Sequence, residues 1–232
     1  MKELIDRTGL SDYLNQFDLN TIFSTEVKNR LTLFSFQQGD ILCRKGEDIQ
    51  HMYFLVKGKV KIFTTTPEGK TLIVRFKTPL AIIGDVEYVQ GSTVFNTVEA
   101  VSDGIVFGIH FDELRTMKTN QVEFLKFLLE IVTQKFYTES HATSFNILYP
   151  VEVRLASYLL SLSSEGEGSM FHKEMGTSSL TEIADLIGTS YRHLNRVILK
   201  LCDEGVIQRK KGSLYIKDLP RLRERAEGNI YE

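Results

Sequence analysis

Cysteine is scarce. The 232-residue chain holds two, Cys43 and Cys202, too few for a disulfide framework or for the four thiolates of an iron–sulfur cluster. Long apolar runs are missing as well. No stretch approaches the roughly 18–20 residues that a membrane-spanning helix needs, and the opening MKELIDRTGLSDYL has no apolar core of a secretory signal. Charge of one sign does not dominate either. Lys and Arg number 28 against 30 Asp and Glu, a formal net charge of −2 that excludes a histone-like basic protein but leaves room for a local basic patch. There is no GxSxG, P-loop or Rossmann glycine fingerprint, and no repeat or low-complexity tract. The five histidines, at 51, 110, 141, 172 and 193, stand singly with no HxH or HxxxH spacing, so no metal site is expected. These absences predict a cytoplasmic protein without a cofactor and without a membrane partner. An apolar share of 42% is ordinary for a globular chain with a real core.

What is present changes texture along the chain. Residues 1–30 read as short amphipathic helices, with Leu10, Leu14, Phe17, Ile22, Val27 and Leu31 at helical spacing. From Leu33 to about His110 the pattern becomes β-branched and aromatic runs broken by Gly, Asp and Pro, as in MYFLVKGKVKIFTTT and GIVFGIH. Thr66-Pro67-Glu68-Gly69 has the form of a hairpin turn. Many short strands at close intervals predict a compact β barrel or roll. Phe111–Leu114 then opens a short helix, and Asn120 is placed to cap a longer one. Leu125, Leu128, Leu129, Val132 and Phe136 occupy one side of that helix. A seam of Leu125, Leu128, Val132 and Phe136 predicts a coiled-coil-like homodimer interface. Pro150 marks a joint, a helix follows over Val151–Leu162, and SSEGEGSM forms a polar break.

The segment Thr181–Leu201 has the form of a helix-turn-helix. Ala184 is small where two helices must approach, Gly188 permits the tight turn, and Thr189 or Ser190 can cap the second helix. Leu194, Val197, Ile198 and Leu201 form a buried stripe, leaving Tyr191, Arg192, Asn195 and Arg196 on the other side. Arginine can bond guanine bidentately and asparagine can do so with adenine, and either can hold phosphate. Gly205–Ile216 reads as a β-hairpin wing with a basic tip at Arg209, Lys210 and Lys211. Residues 188–225 carry ten Lys and Arg against four Asp and Glu, so this end is positive in a chain that is slightly negative overall. The candidate DNA contacts are Thr189, Ser190, Tyr191, Arg192, Asn195, Arg196, Lys200, Arg209, Lys210 and Lys211.

With these residues in view, the chain resembles a Crp/Fnr-type transcription regulator over about 30–220. The carriers are Gly39-Asp40 with Gly46-Glu47, Tyr53–Val60, Ile83-Gly84-Asp85, and Gly188-Thr189-Ser190 with Arg196. Ser190-Tyr191-Arg192-His193-Leu194 resembles the YeiL branch. The resemblance implies an α+β protein. Residues 1–118 would form a cyclic-nucleotide-binding-like β roll (a double-stranded β-helix), 119–149 a dimerisation helix, and 150–232 a winged helix-turn-helix. It implies a homodimer on double-stranded DNA with an inverted-repeat operator, and contact with RNA polymerase. Many members open the recognition helix with Ser-Arg-Glu-Thr, whereas Arg192 stands here at the acidic position. The family's familiar half-sites are therefore not carried over.

The resemblance also sets out an effector pocket at Gly84, Asp85, Val94, Phe95, Asn96, Glu139 and Ser140, for a small molecule of unspecified identity. Family members that sense cyclic nucleotides hold the ribose with Gly-Glu and the phosphate with Arg-Ser or Arg-Thr. Here Gly84-Asp85 is one methylene short, and Val94–Thr97 offers no cation. Residues 78–114 contain no Lys or Arg but six acidic residues. A buried phosphate there lacks its charge-assisted partner, a loss of about 1.5–3 kcal/mol, so control by cyclic AMP is not expected. The alternative is an atypical phosphate site built from backbone N–H groups or Arg75. A competing enzyme reading, a cupin-like metal site following Gly46, fails for want of ligands. Beyond His51 the positions hold Tyr53 and Val56-Lys57-Gly58. Both cysteines read as core thiols.

Overall fold

The computed structural model describes residues 1–65, 71–117, 121–162, 177–210 and 213–227. The expected turn at Thr66–Gly69, the Asn120 cap, the SSEGEGSM break and Lys211 lie outside them. Two compact units divide the chain, one built from Met1–Thr66 with Val74–Phe136 and the other from Pro67–Ile73 with Tyr137–Glu232.

The first unit is the β roll. Its elements run β1 (Lys2–Leu4), α1 (Arg7–Gln16), a 3-10 turn (Leu19–Thr21), α2 (Thr25–Lys28), β2 (Thr32–Phe36), β3 (Ile41–Cys43), β4 (His51–Lys57), β5 (Val60–Thr65), β6 (Thr71–Lys77), β7 (Ala81–Ile83), α3 (Asp85–Gln90), β8 (Thr97–Ala100), β9 (Gly104–His110) and α4 (Phe111–Thr116). One sheet has the order β1-β2-β9-β4-β7 and the other β3-β8-β5-β6. The period of two in a strand explains how β4 serves two cores. Met52, Phe54 and Val56 face the helices, packing with Leu10, Leu14, Phe23, Phe107 and Ile109, while Leu55 faces the roll interior with Phe36, Val60, Val98 and Val106. Phe54 and Phe107 stack at 4.6 Å across β4 and β9, and Phe23 meets Phe54 edge-on at 5.5 Å.

Two local readings are corrected. Residues 1–30 are not all helical, because Lys2–Leu4 form a strand paired antiparallel with Leu33–Ser35. The region between Leu33 and His110 is not all β, since α3 interrupts it at Asp85.

Helix α5 (Gln121–Leu148) begins in this unit. Phe124 and Leu128 are buried in the roll's helix-side core, with Phe127 and Ile131 packed against it. A different face carries Val122, Leu125, Leu129, Val132 and Phe136 at spacings of 3, 4, 3 and 4. Leu125, Leu129 and Phe136 are 53%, 67% and 75% exposed. The expected seam is therefore corrected at one position. Leu128, 4% exposed, belongs to the roll core, and Leu129 takes its place in the stripe.

The second unit holds the rest of α5, then α6 (Val151–Leu162), α7 (Thr177–Leu186), α8 (Tyr191–Asp203), β10 (Ile207–Lys210), β11 (Ser213–Ile216) and α9 (Leu219–Arg225). Buried Leu155, Ala156, Leu159, Leu180, Ile183, Ala184, Leu194, Ile198, Leu201 and Leu222 come from all four of the helices after α5. No helix among the described residues is long and apolar enough to cross a membrane.

Candidate nucleic-acid interface and effector site

The turn before α8 is built for close approach. Gly188 has φ +64°, and the Thr189 N–H donates to the Ala184 carbonyl at 2.8 Å. Arg154, buried on α6, donates through Nη1 to the carbonyl of Ile187, placing a cation at the negative end of α7. Ser190 is the N-cap, its Oγ accepting from the His193 N–H at 3.3 Å, an arrangement worth about 1 kcal/mol. Thr189 is half-buried beside it.

Leu194, Val197, Ile198 and Leu201 are buried on α8, as expected. At 3.6 residues per turn Arg192, Arg196 and Leu199 fall opposite that stripe, and all three are exposed, as are Tyr191 and His193. Asn195 lies half-buried on one flank, where Arg209 of β10 donates through Nη1 to its Oδ1 at 3.1 Å. Strands β10 and β11 pair antiparallel, Arg209 opposite Leu214 and Lys210 opposite Ser213. Arg209 and Lys210 are exposed.

Lys200 stands apart from this set. Its Nζ lies 2.5 Å from Glu152 Oε2 and 4.0 Å from Glu204 Oε1. Arg225 bridges the same two carboxylates at 3.0 and 2.8 Å. The four charges tie α6, α8 and α9 together, so Lys200 serves the fold of this unit.

In the roll, Gly84 has φ +91°, and a Cβ there would come within 2.9 Å of the His51 carbonyl. Asp85 opens α3 and is 1% exposed. Its Oδ1 accepts from Lys135 Nζ at 2.6 Å, and the same ammonium donates to the Ile82 carbonyl at 2.8 Å. Asp85 Oδ2 has no hydrogen-bond partner among the described residues. The Val94 N–H donates to the Glu47 carbonyl, and the Phe95 N–H donates to Glu87 Oε1, both at 2.9 Å. Val94 is buried, Phe95 exposed and Asn96 half-buried. Glu139 and Ser140 are exposed on the part of α5 that belongs to the second unit.

Sequence reasoning missed Lys135. It follows Phe124, Leu128 and Ile131 at spacings of 4, 3 and 4, so a lysine stands where the roll-facing series calls for an apolar side chain. That substitution was the available signal for a buried acid opposite. Arg75, the alternative phosphate partner, is 3% exposed within β6.

His51 and His110, scattered in sequence, face each other across β4 and β9 with ring centroids 5.0 Å apart. Burial, and then His110, lowers the His51 pKa. Among the described residues no group of three or more His, Cys, Asp or Glu could hold a metal ion. Burial, reinforced by the nearby Glu87 carboxylate, pushes the Cys43 thiol up to about 12, which suits an inert core thiol.

Two family models match the chain. Residues 33–120 match the cyclic nucleotide-binding domain, and residues 153–225 match the Crp-like helix-turn-helix domain. The regulatory protein YeiL of Escherichia coli O157:H7 is 25% identical over 200 residues, covering 86% of this chain and 88% of that protein. A CRP-like cAMP-activated global transcriptional regulator of Mycobacterium tuberculosis is 24% identical over 231 residues, 97% of this chain and 100% of that one. Among solved structures, a transcriptional regulator of the CRP/FNR family from Thermus thermophilus superposes with a TM-score of 0.70 at 22% identity, covering 84% of this chain and 98% of the other.

Proposed function

We propose, from the premise that this chain has the fold of a Crp/Fnr-type transcriptional regulator, that it is a homodimeric, sequence-specific DNA-binding regulator reading an inverted-repeat operator. The observation that carries this reading is the capped helix α8, which presents Arg192 and Arg196 outward beside a basic two-stranded wing. Residues 189–202 enter the major groove, Arg196 contacts a base, and Lys210 and Lys211 neutralise phosphates. The stripe Val122, Leu125, Leu129, Val132 and Phe136 pairs two copies. Twofold symmetry then sets the half-sites about 10 bp apart, or a multiple of that. RNA polymerase is the protein partner this architecture implies.

Cyclic AMP does not control binding in this reading. Asp85, the counterpart of a ribose-holding acid, is engaged by the chain's own Lys135. The Val94 and Phe95 amides, in the segment that offers no cation, already donate within the roll. A second reading, an anionic effector at an atypical site, would draw on Arg75 of β6, which is 3% exposed.

Selection of bound fragments from genomic DNA tests the main reading by yielding the half-site and its neighbouring genes together. Arg196→Ala is expected to cost about 1–3 kcal/mol and relax one base position. Lys210→Ala is expected to weaken binding to every sequence and lower the salt slope by about one. No salt-sensitive binding to any fragment would overturn the proposal.

A further inference from the structure

The contact between Arg209 and Asn195 constrains what the recognition helix can read. A guanidinium has five N–H donors and no acceptor, so the amide atom 3.1 Å from Arg209 Nη1 must be the oxygen of Asn195. That removes the usual ambiguity of an asparagine flip and leaves the two Nδ2 hydrogens directed away from Arg209. Asparagine reads adenine by accepting from N6 with its oxygen while donating to N7 with its nitrogen. Here Arg209 competes for the oxygen, whereas the nitrogen keeps its full donor capacity. The remaining guanidinium N–H groups add further donors at the same place. Asn195 adjoins Arg196 in the chain and lies one turn beyond Arg192. One lone pair of the Asn195 oxygen is taken and the guanidinium crowds the other, so a base edge met by this pair faces a surface dominated by donors.

We propose that Arg209 is a specificity-determining positioning residue, holding Asn195 as a hydrogen-bond donor so that this part of α8 selects guanine over adenine. Guanine presents two acceptors, O6 and N7, to the major groove, whereas adenine presents one acceptor and one donor. The adenine amino group would meet the nitrogen side of Asn195 or the guanidinium, donor against donor. The wing thus acts on sequence choice through the helix as well as on phosphate. The inference rests on the DNA-binding reading above.

The test is the base preference of four purified full-length proteins in a randomised half-site selection, the wild type and the variants Asn195→Ala, Arg209→Met and Arg209→Lys. In the wild type, one position whose preference is lost in Asn195→Ala is expected to be guanine, favoured over adenine by about tenfold, the lower part of the range for a good bidentate contact. Arg209→Met frees the oxygen and is expected to move that same position toward adenine. Arg209→Lys, which retains a donor, is expected to keep guanine. Adenine at the Asn195-dependent position in the wild type would overturn the inference. So would an Arg209→Met protein that loses affinity for all sequences equally with its base preferences intact, since Arg209 would then be a phosphate anchor. Either result leaves the DNA-binding reading standing. Absence of salt-sensitive binding by the wild type removes that reading and this inference together.

Discussion

Lys135 and Asp85 form an ion pair with an oxygen–nitrogen distance of 2.6 Å that joins α5 to the first turn of α3. The Asp85 side chain is almost wholly buried and the Lys135 side chain 28% exposed, so the acid depends on the base far more than the reverse. Removing one partner of a buried pair leaves an uncompensated charge, whereas replacing both by apolar groups often restores stability. Lys135→Met is expected to destabilise the protein by about 3 kcal/mol, the low end of the usual range because water reaches the lysine. Lys135→Met combined with Asp85→Leu should recover most of that loss. Urea unfolding of the single and double variants checks this, and simple additivity would show that the two side chains do not act as a pair.

The exposed stripe of α5 gives a second expectation. Leu129→Glu with Val132→Glu should yield folded monomers by light scattering. Leu128→Glu should instead unfold the roll, because Leu128 packs with Phe124 in its core. Even Leu128→Ala should cost about 2–5 kcal/mol. A folded Leu129→Glu, Val132→Glu dimer would move the interface elsewhere.

Calorimetric titration with millimolar cyclic AMP should give no saturable heat, and the nucleotide should leave DNA affinity unchanged. An effector shifts an equilibrium only by its differential affinity for two states, and Lys135 already occupies Asp85. Micromolar binding that disappears in Arg75→Met would transfer the roll to the second reading.

His51 supplies a pH dependence with a definite sign. Its partners are the His110 ring at 5.0 Å and the Tyr53 ring at 5.7 Å, with Asp112 Oδ2 3.5 Å from His110 Nδ1. Since burial lowers the folded pKa below the ordinary 6.5, the unfolded chain takes up a proton first as pH falls. Stability should therefore decline on acidification below about pH 6.5, down to the folded pKa. Urea midpoints measured at about pH 7 and about pH 5 should differ less in His51→Phe than in the wild type. An equal loss in both proteins would assign the effect to other groups.

Legibility in the sequence followed the range of the interaction. Ser190, Gly188 and the Leu194–Leu201 stripe act within a turn or two of themselves, so a local reading placed cap, turn and buried face together. The strand at Lys2–Leu4 is too short to show alternation, and its partner lies some thirty residues away at Leu33–Ser35. Leu128 was misplaced because both faces of α5 are apolar, and periodicity alone does not say which face meets the roll and which is left bare. The His51–His110 pair depends on strand register, which neither segment specifies alone. Lys200 showed its charge but not its neighbours, Glu152 and Glu204.

If the exposed stripe pairs two copies as proposed, the two faces of α5 make folding and assembly a single concentration-dependent event. Phe124 and Leu128 are anchored in the roll, while Leu125 and Leu129, each one residue further along the same turns, belong to the face proposed to pair. A roll that melts takes the pairing surface with it, and a stripe that is paired holds the roll closed. By mass action the melting midpoint of the roll then rises with chain concentration, although no residue of the roll itself has changed. Under that pairing, chains diluted below the association range are the least stable form of the protein.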